Sequence, residues 1–122
     1  MPSDLEDAEI EWMGNSKDVL SSWPVEIKST LGFELRKVQR GEKPSDSKPL
    51  PGIAQGVMEL REGDAGIWYR VAYIPRKGMV VYVLHCFKKK GAKTPKPAVA
   101  TIKERFKVVR EMMKKAKEKE KL

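Results

Sequence analysis

The chain has 122 residues, of which 40% are hydrophobic and 34% are charged, a balance typical of one soluble globular domain. One cysteine and one histidine can form neither an internal disulfide nor a zinc site, so a reducing, cytoplasmic compartment is expected. No apolar stretch approaches the roughly 20 residues that a membrane-spanning helix needs. No motif for a metal or a small-molecule cofactor is evident, and none is expected to bind.

Positive charge is concentrated in the second half of the chain. Residues 1–66 carry 8 basic and 13 acidic groups, a net charge of −5, whereas residues 67–122 carry 17 basic and 4 acidic groups, a net charge of +13. This asymmetry favours a polyanionic partner, with nucleic acid first and an anionic membrane surface second.

A strand and a short helix are predicted first. Residues 1–8 are acidic and are expected to fray, and the pattern over Ala8–Met13 predicts a strand. Asn15 or Ser16 can then cap a short helix over Lys17–Trp23.

The second helix has a clear apolar period. Pro24 suits its first turn, and Gly41, shortly after the last periodic residue, can adopt the left-handed conformation that ends a helix. Between them the apolar residues recur at spacings of four, four and three, which predicts an amphipathic helix: Ile27, Leu31, Leu35 and Val38.

Three strands are predicted to follow a loop. Residues 42–52 hold three prolines and predict the loop. The strands are predicted over Gly56–Glu62, Ile67–Ile74 and Met79–Phe87, and the tight turns between them indicate an antiparallel meander. The last of these strands is apolar almost throughout, which predicts a central strand covered on both faces.

A last helix is predicted from about Thr94 or Lys96, and residues 114–122 form a charged tail that is expected to fray. Its narrow apolar seam consists of Val99, Ile102, Phe106, Val109 and Met113. The cations that flank this seam are expected to widen the basic surface: Lys103, Arg105, Lys107 and Arg110. The order β-α-α-β-β-β-α predicts a single α+β domain over residues 9–113, with helices packed on one face of a small antiparallel sheet.

The densest group of reactive side chains lies at the end of the last predicted strand. His85 can exchange a proton near neutral pH. The lysines that follow it can hold phosphate or stabilise developing negative charge: Lys88, Lys89, Lys90 and Lys93. A structural histidine in the core is the alternative, and the sequence leaves the direction of this side chain open.

Arg61 and Arg70 lie inside two strands of one predicted hairpin, so the two guanidinium groups can share a face. Two such groups on one sheet face require acidic partners or a bound anion. Both alternatives stay open, because Glu59 and Glu62 are close enough in sequence to form ion pairs.

Among the aromatic residues near the basic groups, Tyr69 and Phe87 are the candidates for stacking on RNA bases, with core packing as the alternative. Cys86 is expected to be a small buried hydrophobe. Neighbouring side chains of a strand point to opposite faces, so Cys86 and His85 are not expected to form a nucleophile pair.

Several segments resemble the phage-derived, HigB-like branch of the RelE/ParE superfamily of type II toxins. The resemblance covers roughly residues 9–110. It begins with Ser16–Leu20, Trp23-Pro24 and Gly41–Ser45, and it is more specific in Glu59-Leu60-Arg61, Tyr69-Arg70-Val71, Val83–Lys90 and Lys93-Thr94-Pro95. The chain departs from the family pattern at Lys88, where a polar residue is common, and at Gly91, which replaces a threonine.

The resemblance implies a RelE-like fold and a toxin that cleaves messenger RNA, in many members on the ribosome and without a metal. The RNA 2′-hydroxyl attacks the adjacent phosphate in this chemistry. Carried over motif by motif, the resemblance implies catalytic roles for Arg61, Arg70 and His85. The expected RNA-binding residues are Lys88, Lys89, Lys90, Lys93, Tyr69 and Phe87.

The resemblance also implies a cognate antitoxin, in this family often a helix-turn-helix protein, and we expect it to carry an acidic contact segment. The expected partners are thus the antitoxin, messenger RNA and the ribosome, with no membrane and no small-molecule cofactor. Two alternatives use the same fold as a binding module. They are a ParE-like poison of DNA gyrase and a non-toxic nucleic-acid-binding protein.

Overall fold

The computed structural model describes residues 7–50, 52–91 and 93–120. It confirms the predicted α+β class. In chain order the elements are β1 (Glu9–Trp12), α1 (Ser16–Ser21), α2 (Val25–Gln39), β2 (Ser47–Pro49), β3 (Met58–Asp64), β4 (Ile67–Lys77), β5 (Val80–Lys89) and α3 (Lys96–Glu120).

The five strands form one mixed sheet in the order β1-β5-β4-β3-β2. The antiparallel meander of β3, β4 and β5 is confirmed. The prediction of a wholly antiparallel sheet is wrong at one edge, because β1 runs parallel to β5, with Glu9 opposite Val80. Residue alternation determines which face a side chain occupies, but it does not determine the direction of a strand that pairs from far along the chain.

The predicted loop over residues 42–52 contains the short edge strand β2, which pairs antiparallel with β3. Its proline, Pro49, is compatible with this position because an edge strand leaves one side of its backbone unpaired. The composition of the segment conceals the strand, since three residues are too few to show a period.

The helices pack on both faces of the sheet, so the prediction of helices on one face is wrong. We call the two sides the α2 face and the α3 face. On the α2 face, α1 and α2 cover Leu60, Val71, Tyr73, Val83 and Cys86. On the α3 face, α3 packs with Ala72, Ile74, Leu84 and Phe87. Since β5 is apolar on both faces, each face needs its own cover.

The predicted helix stripe is confirmed, since Ile27, Leu31, Leu35 and Val38 are all buried. The predicted glycine cap is also confirmed. Gly41 has φ +80°, its N–H donates to the Val38 carbonyl at 3.0 Å, and the Glu42 N–H donates to the Lys37 carbonyl at 2.8 Å. These two bonds satisfy carbonyls that the end of an α-helix leaves open.

The two ends of the chain differ from expectation where they are described. Ala8 is buried and its N–H donates to the Gln39 carbonyl at 2.9 Å, whereas residues 1–6 of the predicted frayed segment lie outside the described residues. At the other end α3 continues to Glu120, so the helix includes residues 114–120 of the predicted tail, and the fraying of that tail stays a prediction. Ile102 and Val109 of its predicted seam are buried.

A β-bulge in β5 decides which face carries the histidine. Ala72 pairs with His85 and the next residue, Tyr73, pairs with Val83, so Leu84 is the extra residue. Val81 and Val83 face α2, and strict alternation would put residue 85 on the same side. The inserted residue shifts the phase, and both Leu84 and His85 reach toward α3.

Candidate functional site

Five of the predicted site residues lie together on the α3 face of strands β3, β4 and β5. The strand register arranges this face in three rows, each of which takes one residue from each strand. The rows are Gly63–Trp68–Lys89, Arg61–Arg70–Phe87 and Glu59–Ala72–His85. Successive rows are ~7 Å apart, since a strand rises about 3.4 Å per residue. The sheet thus gathers two arginines, a lysine, an aromatic ring and the histidine on one surface.

Arg61 and Arg70 are directly opposite each other, which confirms the prediction of a shared face. They differ in exposure. Arg70 is buried and its Nη1 forms an ion pair with the Glu59 carboxylate, which is also buried. Within the described part of the chain, Arg70 Nε and Glu59 Oε2 lack a hydrogen-bond partner. Arg70 therefore shows the ion-pair alternative that the sequence leaves open.

Arg61 is the accessible member of this pair. Its side chain is 32% exposed, and its Nε donates to both carboxylate oxygens of Asp46, at 3.1 and 3.0 Å. An exposed ion pair of this kind contributes about 0–1 kcal/mol, because water solvates both groups well. The Arg61 guanidinium can therefore exchange Asp46 for the phosphate of a ligand at little cost.

Trp68 is a site residue that the sequence does not single out. Its ring lies 4.9 Å from Arg61 Cζ and 5.8 Å from Arg70 Cζ, so both guanidinium groups contact one indole. The cross-strand partner of Trp68 is Gly63, where an added Cβ would approach the ring to 2.9 Å. A glycine opposite a tryptophan in a hairpin is the signal that could have revealed this packing.

A cleft opens next to the first row, where β5 leads into the loop before α3. It has a volume of about 430 Å³ and is lined by Ile67, Lys88, Lys89, Lys90, Gly91, Lys93 and Pro95. We call it the basic cleft. Lys88, Lys90 and Lys93 are exposed. Lys89 is buried and its Nζ lies 3.4 Å from Thr94 Oγ1. Burial lowers the pKa of Lys89 below its ordinary value, while the Glu59 carboxylate opposes this effect.

The two aromatic residues predicted to stack on bases are both buried, which is the core-packing alternative. Tyr69 lies on the α2 face, edge-on to Trp23 at 5.1 Å between ring centroids. Lys88 is beside it, with Nζ 5.9 Å from the Tyr69 ring. Phe87 packs on the α3 face. The predicted RNA-binding set is thus divided between the two sides of the sheet.

His85 is half-buried between the sheet and α3. Its ring stacks on Phe87 at 5.3 Å with an interplanar angle of 16°, and its Nδ1 lies 3.4 Å from Arg105 Nη1. Burial lowers the pKa of His85 below its ordinary value, and the Arg105 guanidinium lowers it further. The imidazole is therefore neutral at pH 7. Phe87, the cross-strand neighbour of Arg70, thus connects the ring of His85 to the arginine row.

Arg105 does not belong to the solvent-facing flank of α3, where the sequence places it. It turns inward, with Nη1 donating to the Leu84 carbonyl at 2.9 Å and Nη2 donating to Asn15 Oδ1 at 3.0 Å. Arg105 thus donates to a backbone carbonyl at the bulge of β5.

Cys86 is buried on the α2 face, and burial raises its pKa to about 12. The cysteine and the histidine thus face opposite sides of the sheet, as predicted. Among the described residues, no group of three or more His, Cys, Asp or Glu side chains could hold a metal ion. No helix in the described ranges is both long enough and apolar enough to cross a bilayer.

The family model for phage-derived protein Gp49-like (DUF891) matches residues 18–107, which is most of the chain and includes all three rows of the site. The chain therefore belongs to this phage-derived family, a family of RelE-like, toxin-like proteins. A search of curated proteins finds no match. The resemblance seen in the sequence is confirmed at this level, and the HigB-like branch stays a prediction.

Proposed function

We propose that this chain is the toxin of a type II toxin–antitoxin system and that it acts as a metal-independent endoribonuclease on messenger RNA in the ribosome. The observation that supports this most is the three-row surface on the α3 face, which places Arg61, Arg70 and His85 on three neighbouring strands in two adjacent rows. The family match supports the toxin class independently of this geometry.

The basic cleft and Arg61 are the binding part of the proposed site. Lys88, Lys90 and Lys93 line the cleft and are exposed, and their positive charge attracts a phosphate backbone irrespective of base sequence, although the Lys88 ammonium lies beside Tyr69 on the α2 face. Arg61 can hold one phosphate in a forked contact after it leaves Asp46. RNA would then lie across the part of the α3 face next to the basic cleft, along Trp68.

The proposed reaction is an internal transfer within the RNA. A bond forms between O2′ and phosphorus, the bond between phosphorus and O5′ breaks, O2′ loses a proton, and O5′ gains one. The products are a 2′,3′-cyclic phosphate and a 5′-hydroxyl end. Arg61 would stabilise the charge that develops on the phosphate oxygens, with Arg70 behind it in the same row. His85 is the candidate for exchange of protons at this surface.

The test uses the purified chain and ribosomes programmed with a defined message. We expect cleavage within the bound message and 2′,3′-cyclic phosphate ends on the products. A metal-activated water would instead leave no cyclic end. Arg61→Ala is expected to lower the cleavage rate by 10²-fold or more. The matched control is Arg36→Ala, because Arg36 is an exposed arginine of α2, away from the site, and it should cleave at the wild-type rate. Intact message with the wild-type chain would overturn the proposal.

We also propose that a partner antitoxin neutralises the toxin through an acidic segment that contacts the basic cleft. Opposite charges steer such an association, so its rate should fall as the salt concentration rises. The measurement is the association rate at low and high salt for the wild type and for the Lys88→Glu/Lys90→Glu variant. A rate that neither salt nor charge reversal changes would place the contact elsewhere.

Binding to DNA gyrase is the second candidate, and one observation favours it. The Arg70 guanidinium is engaged by Glu59 in the interior, as in a surface that binds without catalysing. The gyrase assay separates the two candidates. Inhibition of supercoiling with an intact message would select the gyrase poison, and normal growth of cells that express the soluble chain alone would select a non-toxic binding protein.

A further inference from the structure

Arg105 makes a three-way contact that joins α3, the bulge of β5 and the turn before α1. One of its terminal nitrogens, Nη1, donates to the Leu84 carbonyl at 2.9 Å and lies 3.4 Å from His85 Nδ1. The other, Nη2, donates to Asn15 Oδ1 at 3.0 Å. Since Nη1 carries two hydrogens, it can donate to the carbonyl and to the imidazole at the same time.

The chemistry of the guanidinium decides what this contact requires of the histidine. A guanidinium has five N–H donors and no acceptor, and it stays protonated in proteins. Its approach to Nδ1 is therefore attractive only while Nδ1 carries a lone pair. In a neutral imidazole with a bare Nδ1, the proton is on Nε2.

We propose that Arg105 is a positioning residue that holds His85 as the neutral tautomer with its proton on Nε2. The ring then carries its N–H donor on Nε2, the nitrogen that does not face Arg105. If the proposed RNA cleavage is correct, on which this last step rests, that N–H donates a hydrogen bond to an oxygen of the reacting phosphate. His85 would thus stabilise developing negative charge and would not accept the proton of the 2′-hydroxyl at Nε2.

The surroundings of the ring support the neutral form. Arg105 is the charged group that α3 directs at His85, and its like charge opposes a second proton on the ring. Along β5 the neighbour is the Phe87 ring, and on β4 it is Ala72, which separates His85 from Glu59 in the same row. The Glu59 carboxylate is itself paired with Arg70. Among the described residues, the contacts of the ring thus supply no acidic partner that would favour the protonated form.

The close approach of the Gly14 backbone also helps to hold Arg105 in place. Gly14 has φ +54°, a left-handed conformation that side chains disfavour, and a Cβ added there would lie 2.4 Å from Arg105 Nη2. The backbone of Gly14 therefore passes close to the guanidinium because no side chain intervenes. Two segments, the bulge of β5 and the turn before α1, confine the guanidinium, which in turn confines the imidazole.

The test is nitrogen NMR of the imidazole, which is unambiguous because the chain has a single histidine. In the wild type at pH 7 we expect a bare Nδ1 and a protonated Nε2. Arg105→Met keeps much of the apolar stem and removes the guanidinium. We expect it to give a mixture of tautomers and a higher pKa for His85. A proton on Nδ1 in the wild type, or a wild-type spectrum for Arg105→Met, would overturn the proposal.

Two further variants serve as controls for the NMR test. Arg110→Met removes an exposed guanidinium from the same helix and should leave the histidine signals unchanged. Asn15→Ala removes only the acceptor of Arg105 Nη2. This milder variant should stay folded, and it can therefore replace Arg105→Met if that variant unfolds. We expect it to shift the imidazole signals in the direction of Arg105→Met by a smaller amount, and no shift would count against the proposal.

Cleavage is measured separately, so that the two proposals can fail independently. Arg105→Met is expected to lower kcat about tenfold, less than the loss of the imidazole in His85→Ala, which should reach 10²-fold. If the wild-type chain leaves RNA intact, the nuclease proposal fails, and the spectra still decide whether Arg105 sets the tautomer. If cleavage occurs and Arg105→Met equals the wild type, the role of Arg105 in the reaction is refuted.

Discussion

The α2 face and the α3 face of the sheet differ in composition and in role. On the α2 face, residues such as Leu60, Val71 and Tyr73 alternate into a closed apolar core beneath α1 and α2. On the α3 face the helix packs chiefly on β5, and the neighbouring strands carry the Glu59–Arg70 ion pair and Arg61. Strand alternation thus gives the α2 face an apolar core, whereas the α3 face combines a second apolar cluster with the charged rows.

Burial of a side chain contributes differently to stability on the two faces. A fully buried leucine on the α2 face contributes roughly 1.5–3 kcal/mol by leaving water. A buried ion pair such as Arg70 with Glu59 contributes less, because both charges lose their hydration. A pair of this kind is consistent with a role in positioning Arg61 and Trp68, which stack beside Arg70.

The largest expected effect comes from breaking that pair. Glu59→Ala leaves the Arg70 charge buried and uncompensated, so the free energy of unfolding should fall by about 3–5 kcal/mol. Urea denaturation measures it. The matched control, Glu59→Leu/Arg70→Met, removes both charges and should recover most of the loss. A double variant as unstable as Glu59→Ala would show that the loss does not come from an unpaired charge.

The second-largest effect tests whether the α2 face contributes to stability without contributing to RNA binding. Leu31 is fully buried there, and Leu31→Ala should lower the free energy of unfolding by about 3 kcal/mol, since it leaves a cavity. The RNA affinity of the folded fraction should stay within about twofold, because the change lies on the other side of the sheet. Phe33→Ala on the same helix is the control: Phe33 is 62% exposed, so stability should change by less than about 0.5 kcal/mol. A large loss of RNA affinity in Leu31→Ala would break the separation of the two faces.

A smaller effect depends on pH. The pKa of His85 is lowered in the folded chain, so in acid the unfolded chain binds the proton more readily. The stability that the neutral ring supplies is therefore complete above the ordinary histidine pKa. It is lost as the pH falls from that value through the lower folded pKa. Denaturation of the wild type and His85→Gln between pH 8 and 5 measures this, and the variant should lose less stability in acid. Parallel curves would contradict the lowered pKa.

The smallest effect on stability is expected from a substitution in the basic cleft. The same substitution should change the salt dependence of RNA binding. Lys90 is exposed, so Lys90→Ala should change the free energy of unfolding by less than about 0.5 kcal/mol. The slope of log affinity for single-stranded RNA against log salt should fall by about 0.7, which corresponds to one phosphate contact. Lys17→Ala, an exposed lysine of α1, should leave the slope unchanged. Equal slopes for both variants would remove the cleft from the RNA interface.

Much of the fold follows from local periodicity. The four-residue repeat of α2 and the two-residue alternation of β4 each depend on neighbours within the same element, so the burial of Leu31 and the shared face of Arg61 and Arg70 were predictable. The family was predictable for a similar reason, because its motifs are short runs of consecutive residues. The three-residue strand β2 was not, since it is too short to show a period.

The sequence by itself determined every element except β2, the charge of the second half and the set of reactive residues. Only the tertiary structure decided where they meet. The phase shift at Leu84 turns His85 toward α3, and it depends on the pairing of β5 with β4. Arg105, which the sequence groups with the cations that flank the apolar seam of α3, turns inward because the Leu84 carbonyl, His85 and Asn15 come within its reach. Periodicity is a property of neighbouring residues, whereas these contacts join segments distant in the chain.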